Sequence, residues 1–100
     1  MKMRNEILYI TVPCYNEEEV LPETSKRLKK KLTELIQSAG ISEKSRILFV
    51  DDGSKDQTWS YIRTLCQEDE CFSGLKLAHN RGHQNALMAG LLTAKEYADI

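Results

Sequence analysis

Apolar residues along the chain follow two alternating rhythms. Ile7-Leu8-Tyr9-Ile10-Thr11-Val12 is a β-rich run without polar alternation, which predicts a strand buried on both faces. Pro13 lacks the N–H a ladder needs and is expected to end it. Pro22 fits the first turn of a helix, where its missing donor is harmless. Leu28, Leu32, Leu35, Ile36 and Ala39 then form one helical stripe, and Gly40 supplies a left-handed cap. Ile47-Leu48-Phe49-Val50 predicts a second buried strand, followed at once by Asp51-Asp52-Gly53-Ser54. Ser54 and Gln57 have capping-box spacing, and Trp59, Ile62, Leu65 and Cys66 mark the inner face of a second helix. Leu75-Lys76-Leu77-Ala78 predicts a third strand whose polar interruption suits a sheet edge. A third helix is expected from about Gln84 to Tyr97, its buried side lined by Leu87, Gly90, Leu91, Ala94 and Ala98. Asp99-Ile100 reads as the start of a fourth strand.

Strand and helix repeated three times imply parallel strands joined by right-handed crossovers. The expected fold class is α/β, a three-layer, mostly parallel, Rossmann-like sheet. With 100 residues, the chain reads as the N-terminal part of a larger domain. A chain of this length buries about 60–65% of its unfolded surface, so its core is modest.

Composition narrows the function classes. Fourteen Lys+Arg against fifteen Asp+Glu leave a net charge of −1, which gives no electrostatic case for nucleic acid as a partner. No apolar run approaches the ~20 residues of a membrane-spanning helix. The stretch Ile7–Val12 is too short for the apolar core of a secretory signal and runs on into Glu17-Glu18-Glu19, so no leader is expected. Cys14, Cys66 and Cys71 contain no Cys-x-x-Cys pair and read as reduced, structural thiols. Asn80-Arg81-Gly82 between His79 and His83 argues against a zinc site on one helix face. Lys26-Arg27-x-Lys29-Lys30-Lys31 reads as a solvated helix face; contact with an anionic membrane is the other reading.

In a parallel sheet, ligands bind at the edge where the strands' carboxyl ends open. Three polar, irregular segments fall there: Pro13-Cys14-Tyr15-Asn16-Glu17, Asp51-Asp52-Gly53-Ser54 and Asn80-Arg81-Gly82-His83. Their chemistry suits a nucleotide. Asp51 or Glu17 can accept from a base imide N–H or a ribose hydroxyl, and Tyr15 offers a face for base stacking. Gly82 and the start of the third helix supply N–H groups and a positive dipole for phosphate, with Arg81 adding charge. Blander roles stand beside these. Asp52 and Ser54 shape a turn and cap a helix, Asn16 forms a turn, His83 sits at the surface, and Tyr15 packs beneath the loop. There is no Gly-x-Gly-x-x-Gly after the first strand and no Gly-Lys-Ser/Thr loop, which excludes a dehydrogenase or P-loop enzyme.

Val12-Pro13-Cys14-Tyr15-Asn16-Glu17-Glu18, Val50-Asp51-Asp52-Gly53-Ser54-Lys55-Asp56-Gln57-Thr58 and Asn80-Arg81-Gly82-His83-Gln84-Asn85-Ala86-Leu87 together resemble family 2 glycosyltransferases. The resemblance is closest to the polyprenyl-phosphate branch, which includes dolichol-phosphate mannosyltransferase-like enzymes. It implies the N-terminal half of a GT-A fold and inverting transfer of a sugar from a UDP- or GDP-linked donor to a polyprenyl phosphate or a saccharide. By the same resemblance Pro13, Tyr15, Glu17 and Asp51 line the nucleoside pocket. Arg81 and Gly82 lie near the base or diphosphate, and Asp52 holds the loop. The family's Asp-x-Asp motif for Mg²⁺ or Mn²⁺ and its acceptor-side base fall beyond residue 100. The stretch alone is therefore expected to hold no metal and to catalyse no transfer. The expected location is the cytoplasm, or the cytoplasmic face of a membrane for the full-length protein.

Other readings are weaker. A phosphoacceptor receiver domain carries its acidic pair after the first strand, and here a complete strand–helix unit precedes Asp51-Asp52. A nucleotidyltransferase would open on a glycine-rich loop. A non-catalytic half-domain that binds a nucleotide or a partner remains as the alternative. An open edge strand also invites self-association.

Overall fold

The computed structural model describes residues 6–77. Strand β1 (Tyr9–Cys14), helix α1 (Leu21–Ala39), strand β2 (Arg46–Asp51), helix α2 (Thr58–Glu68) and strand β3 (Phe72–Lys76) follow one another. The three strands form one sheet in the order β1-β2-β3, and both pairings are parallel. The α/β class and the parallel sheet expected from the sequence are borne out. The third helix, the fourth strand and the layer that helix would add lie outside the described residues, so the helical layer seen here is a single one.

β2 is the centre of the sheet, and its unbroken apolar run is explained by burial on both faces. Ile47 and Phe49 face the helices, in a core with Leu21 and Leu32 of α1 and Ile62 and Leu65 of α2. Leu48 and Val50 face the opposite way, against Tyr9, Leu75 and Leu77. Full burial of one such side chain contributes about 1.5–3 kcal/mol. The Phe49 ring stacks on Phe72, with centroids 5.8 Å apart. Both helices thus cover one face, as right-handed crossovers advancing in one direction require.

The helix signals are mostly realised. Pro22 lies in the first turn of α1, and Gly40 closes the helix with φ 71°. Leu28, Leu32, Leu35 and Ile36 pack on the core, whereas Ala39 is exposed in the last turn. Trp59 and Cys66 are half-buried beside Ile62 and Leu65. Lys26, Lys30 and Lys31 are exposed, Arg27 pairs with Glu23 at 3.5 Å, and Lys29 pairs with Asp69. The basic run is the solvated face that its pattern suggested.

Three expectations need correction. First, β1 begins later than Ile7 and runs through Pro13 to Cys14, and its residues from Tyr9 to Pro13 are only half-buried. Arg46 N–H donates to Leu8 O and Asp52 N–H donates to Cys14 O, each at 2.9 Å. Residues two apart share an edge of a strand, so Leu8, Ile10, Val12 and Cys14 turn their main-chain groups to β2. Pro13 turns its missing N–H the other way, where β1 has no neighbour among the described residues, and the ladder loses nothing. Second, β3 spans Phe72–Lys76, not Leu75–Ala78. Ser73 and Gly74 interrupt the apolar run but not the strand. A side chain at Gly74 would meet Ile62 Cγ2 at 2.8 Å and the Trp59 ring at 3.3 Å, so glycine is what lets α2 lie on this strand. Third, Ser54 and Gln57 form no capping box. Helix α2 starts at Thr58, and Gln57 caps it without a side-chain hydrogen bond.

Candidate functional site

The parallel register sets Cys14, Asp51 and Lys76 in one row across the carboxyl edge of the sheet. The loops leaving β1 and β2 therefore start side by side, which brings two of the three polar segments together. The third, with Arg81, Gly82 and His83, lies outside the described residues.

The two loops are stitched by hydrogen bonds. Asn16 N–H donates to Ser54 Oγ at 2.9 Å, and Lys55 N–H returns to Asn16 Oδ1 at 2.8 Å. Glu17 N–H donates to Thr58 Oγ1 at 2.8 Å, and Glu18 N–H to Asp56 Oδ2 at 3.3 Å. Asn16 holds φ 51°, a left-handed conformation that asparagine tolerates better than most residues. Gly53, at φ 76°, provides the matching turn in the second loop.

Asp51 and Asp52 are both fully enclosed. Ser54 Oγ donates to Asp51 Oδ1, and Ser54 N–H approaches Asp51 Oδ2 at 3.4 Å. The main chain of Asp51 accepts from Leu77 N–H at 2.8 Å, which ties the end of β3 to the same residue. Asp52 is tied to the end of β1 through its main-chain N–H, which donates to Cys14 O.

Asp56 and Thr58 form the start of α2. Asp56 Oδ1 accepts from Thr58 N–H at 2.9 Å and from its hydroxyl, the side chain closing an Asx-type turn. Desolvation pushes the Asp56 carboxyl up, but bonds from the Thr58 hydroxyl and N–H and from Glu18 N–H outweigh it. Its pKa is held below the ordinary carboxylate value. The sequence signal for this pairing is the Asp-x-Thr spacing before an apolar helical stripe.

A shallow depression of about 540 Å³ opens beside the stitched loops, lined by Tyr15, Asn16, Glu17, Glu18, Glu19, Val20 and Asp56. Tyr15 and Glu17 thus line it, whereas Pro13, Asp51 and Asp52 do not. Its carboxylates make it a poor seat for a diphosphate and leave it open to an uncharged group such as a nucleoside.

Cys14, between the loops, is not a nucleophile. Burial, and then the negative charges of Glu17 and Asp51, push its thiol up to about 12. All three cysteines are free thiols. No three His, Cys, Asp or Glu side chains gather into a metal-binding set among the described residues. Glu17, Asp51 and Asp52 accordingly do not fit a metal site. No described helix is long and apolar enough to cross a membrane.

A parallel α/β sheet with a polar, loop-built rim at its carboxyl edge is an architecture that binds ligands at that edge. The family model for glycosyl transferase family 2 matches residues 9–97, and the chain belongs to that family. It is 52% identical over 99 residues to the uncharacterized glycosyltransferase YkoT of Bacillus subtilis, covering 99% of this chain and 29% of that protein. Against a prophage bactoprenol glucosyl transferase homolog of Escherichia coli it is 37% identical, over 82% of this chain and 25% of the relative. Against the undecaprenyl-phosphate 4-deoxy-4-formamido-L-arabinose transferase of Shewanella sediminis it is 33% identical, over 85% and 24%. The chain therefore spans less than a third of each of these relatives.

Proposed function

We propose that this chain is the donor-binding part of an inverting glycosyltransferase that moves a sugar from a nucleoside diphosphate to a polyprenyl phosphate. The observation that carries the reading is the convergence of the β1 and β2 loops on one rim in a chain of family 2. The acceptor class is taken from the bactoprenol and undecaprenyl-phosphate relatives.

In this reading the nucleoside lies at the Tyr15–Glu17 loop, with Pro13 and Asp51 behind it. Tyr15 stacks on the base, and Asp51 accepts from the base imide or a ribose hydroxyl. The diphosphate extends away from the acidic depression, and Arg81 and Gly82 contact the base or the diphosphate. The Mg²⁺ or Mn²⁺ implied by the family would be held by residues outside 6–77, where it would neutralise the leaving diphosphate. The acceptor would meet the enzyme at the cytoplasmic face of a membrane.

The test is a transfer assay. Intact enzyme is given labelled UDP- and GDP-sugars with undecaprenyl phosphate, and organic-extractable label is measured. Lipid-linked product of inverted anomeric configuration from at least one donor is expected, with none from residues 1–100 alone. Absence of lipid product from every donor would overturn the reading, and transfer by the 100-residue stretch would overturn the division of labour.

A further inference from the structure

We infer that Asn16 is a positioning residue that holds Tyr15 against the nucleoside, through the tie its side chain makes to the second loop. The inference deepens the proposed function and rests on the nucleoside lying at the Tyr15–Glu17 loop.

Tyr15 and Glu17, the neighbours of Asn16 on either side, both line the depression. Asn16 between them holds φ 51°, the non-glycine residue of positive φ among the described residues. Its side chain is exposed, so packing does not hold it in that conformation. Two bonds to the second loop hold it instead. Asn16 N–H donates to Ser54 Oγ at 2.9 Å, and Asn16 Oδ1 accepts from Lys55 N–H at 2.8 Å. A main-chain N–H can only donate, which fixes the end of the amide that meets Lys55.

The main chain is thus fixed on both sides of Tyr15. Before it, Cys14 O accepts from Asp52 N–H at 2.9 Å. After it come the two bonds of Asn16. An aromatic face stacks on a ligand at full strength only when its direction is set beforehand, because ordering it on binding costs affinity. Glu17 is held separately, by its own N–H to Thr58 Oγ1. Loss of the Asn16 side chain therefore loosens Tyr15 and leaves Glu17 tied.

The experiment is equilibrium binding of UDP and GDP to the intact enzyme, with unfolding midpoints of the same preparations. Wild type, Asn16→Gly and Asn16→Asp are each measured with and without Tyr15→Ala. The readout is the factor by which Tyr15→Ala weakens the tighter-binding nucleotide. A residue that merely shaped the turn would move the midpoints and leave that factor alone. Asn16→Gly keeps the left-handed main chain and the bond to Ser54 but removes the acceptor of Lys55 N–H. It should cut the factor about fivefold, the scale of re-ordering one side chain on binding. Asn16→Asp keeps an acceptor, and its charge weighs alike with and without Tyr15→Ala, so the factor should stay at the wild-type value. An unchanged factor in Asn16→Gly overturns the role of Asn16, even where binding itself weakens, since Asn16 would then be a contact of its own. A reduced factor in Asn16→Asp overturns it as well. Wild-type enzyme that binds neither nucleotide, or binds equally well with Tyr15→Ala, overturns the reading of the site, and the role of Asn16 falls with it.

Discussion

The hydroxyl of Thr58 accepts the main-chain N–H of Glu17 at 2.8 Å, joining residues 41 apart in sequence. Thr58 opens helix α2 and is fully buried; Glu17 belongs to the loop that leaves β1. The same hydroxyl donates to Asp56 Oδ1, which also accepts the Thr58 N–H. One side chain therefore starts a helix and holds the neighbouring loop.

Thr58→Val keeps the shape and removes both functions. It leaves Glu17 N–H without its acceptor and Asp56 without one of its donors. Stability should fall by about 1–3 kcal/mol, the cost of leaving a buried polar group unpaired. Chemical denaturation of the variant beside the wild type measures this. A change within about 0.5 kcal/mol would mean that the loop finds another partner or water.

Gly74→Ala tests how closely α2 packs on β3. The added carbon would sit 2.8 Å from Ile62 Cγ2, and Ile62 is fully buried. The Ile62 side chain or the helix that carries it must shift, and overpacking of this kind costs about 1–3 kcal/mol. A lowered unfolding midpoint is expected. An unchanged one would show that the contact is looser than the geometry states.

Acid should weaken the link between α1 and the turn before β3. The Lys29 ammonium bonds to Asp69 and holds its carboxyl below the ordinary value. A depressed carboxylate contributes stability that is present above its unfolded value, about 3.9, and is lost as pH falls through the lower folded value. Lys29 is raised by the same partner, so its contribution is present below the unfolded value and is lost as pH rises through the folded one. Lys29 is exposed and Asp69 half-buried, and the worth of such a surface pair is below about 1 kcal/mol. Asp69→Asn should lower stability at pH 7 by less than about 1 kcal/mol and flatten the stability–pH curve below about pH 4, so that the loss fades in acid. An equal loss at both would assign the effect to the Asp69 bond from Cys71 N–H instead.

Thiol labelling should separate the cysteines. Cys14 and Cys71 are both pushed up to about 12, by burial first and then by neighbouring carboxylates. Cys66 is raised by burial alone. At pH 8 a thiol of pKa 12 is thiolate in about one molecule in ten thousand. Iodoacetamide, read by mass spectrometry, should reach Cys66 first and fully buried Cys14 only on unfolding. Early labelling of Cys14 would contradict its burial.

The strands that bury both faces were legible because burial leaves a continuous apolar run, as in Ile47–Val50. The edges were less so. Tyr9–Cys14 survives a proline because that residue's missing N–H faces away from the partner strand, which no residue pattern encodes. Phe72–Lys76 hides its start behind Ser73 and Gly74, since the demand for glycine comes from α2, not from the strand. The rim followed from topology, as carboxyl ends of parallel strands must share one side. The stitching did not. Asn16, Ser54, Asp56 and Thr58 each have several local partners within reach, and only the fold selects the cross-loop ones. Ser54 has capping-box spacing in the sequence, yet its hydroxyl goes to Asp51.

The most direct measurement is the affinity of the intact enzyme for UDP and GDP in the wild type, Tyr15→Ala and Asp51→Asn. If the nucleoside lies at the rim of β1 and β2, one nucleotide binds the wild type and each substitution weakens it by about tenfold or more. Wild-type affinity in both variants, with the fold intact, would place the nucleotide elsewhere and contradict the site.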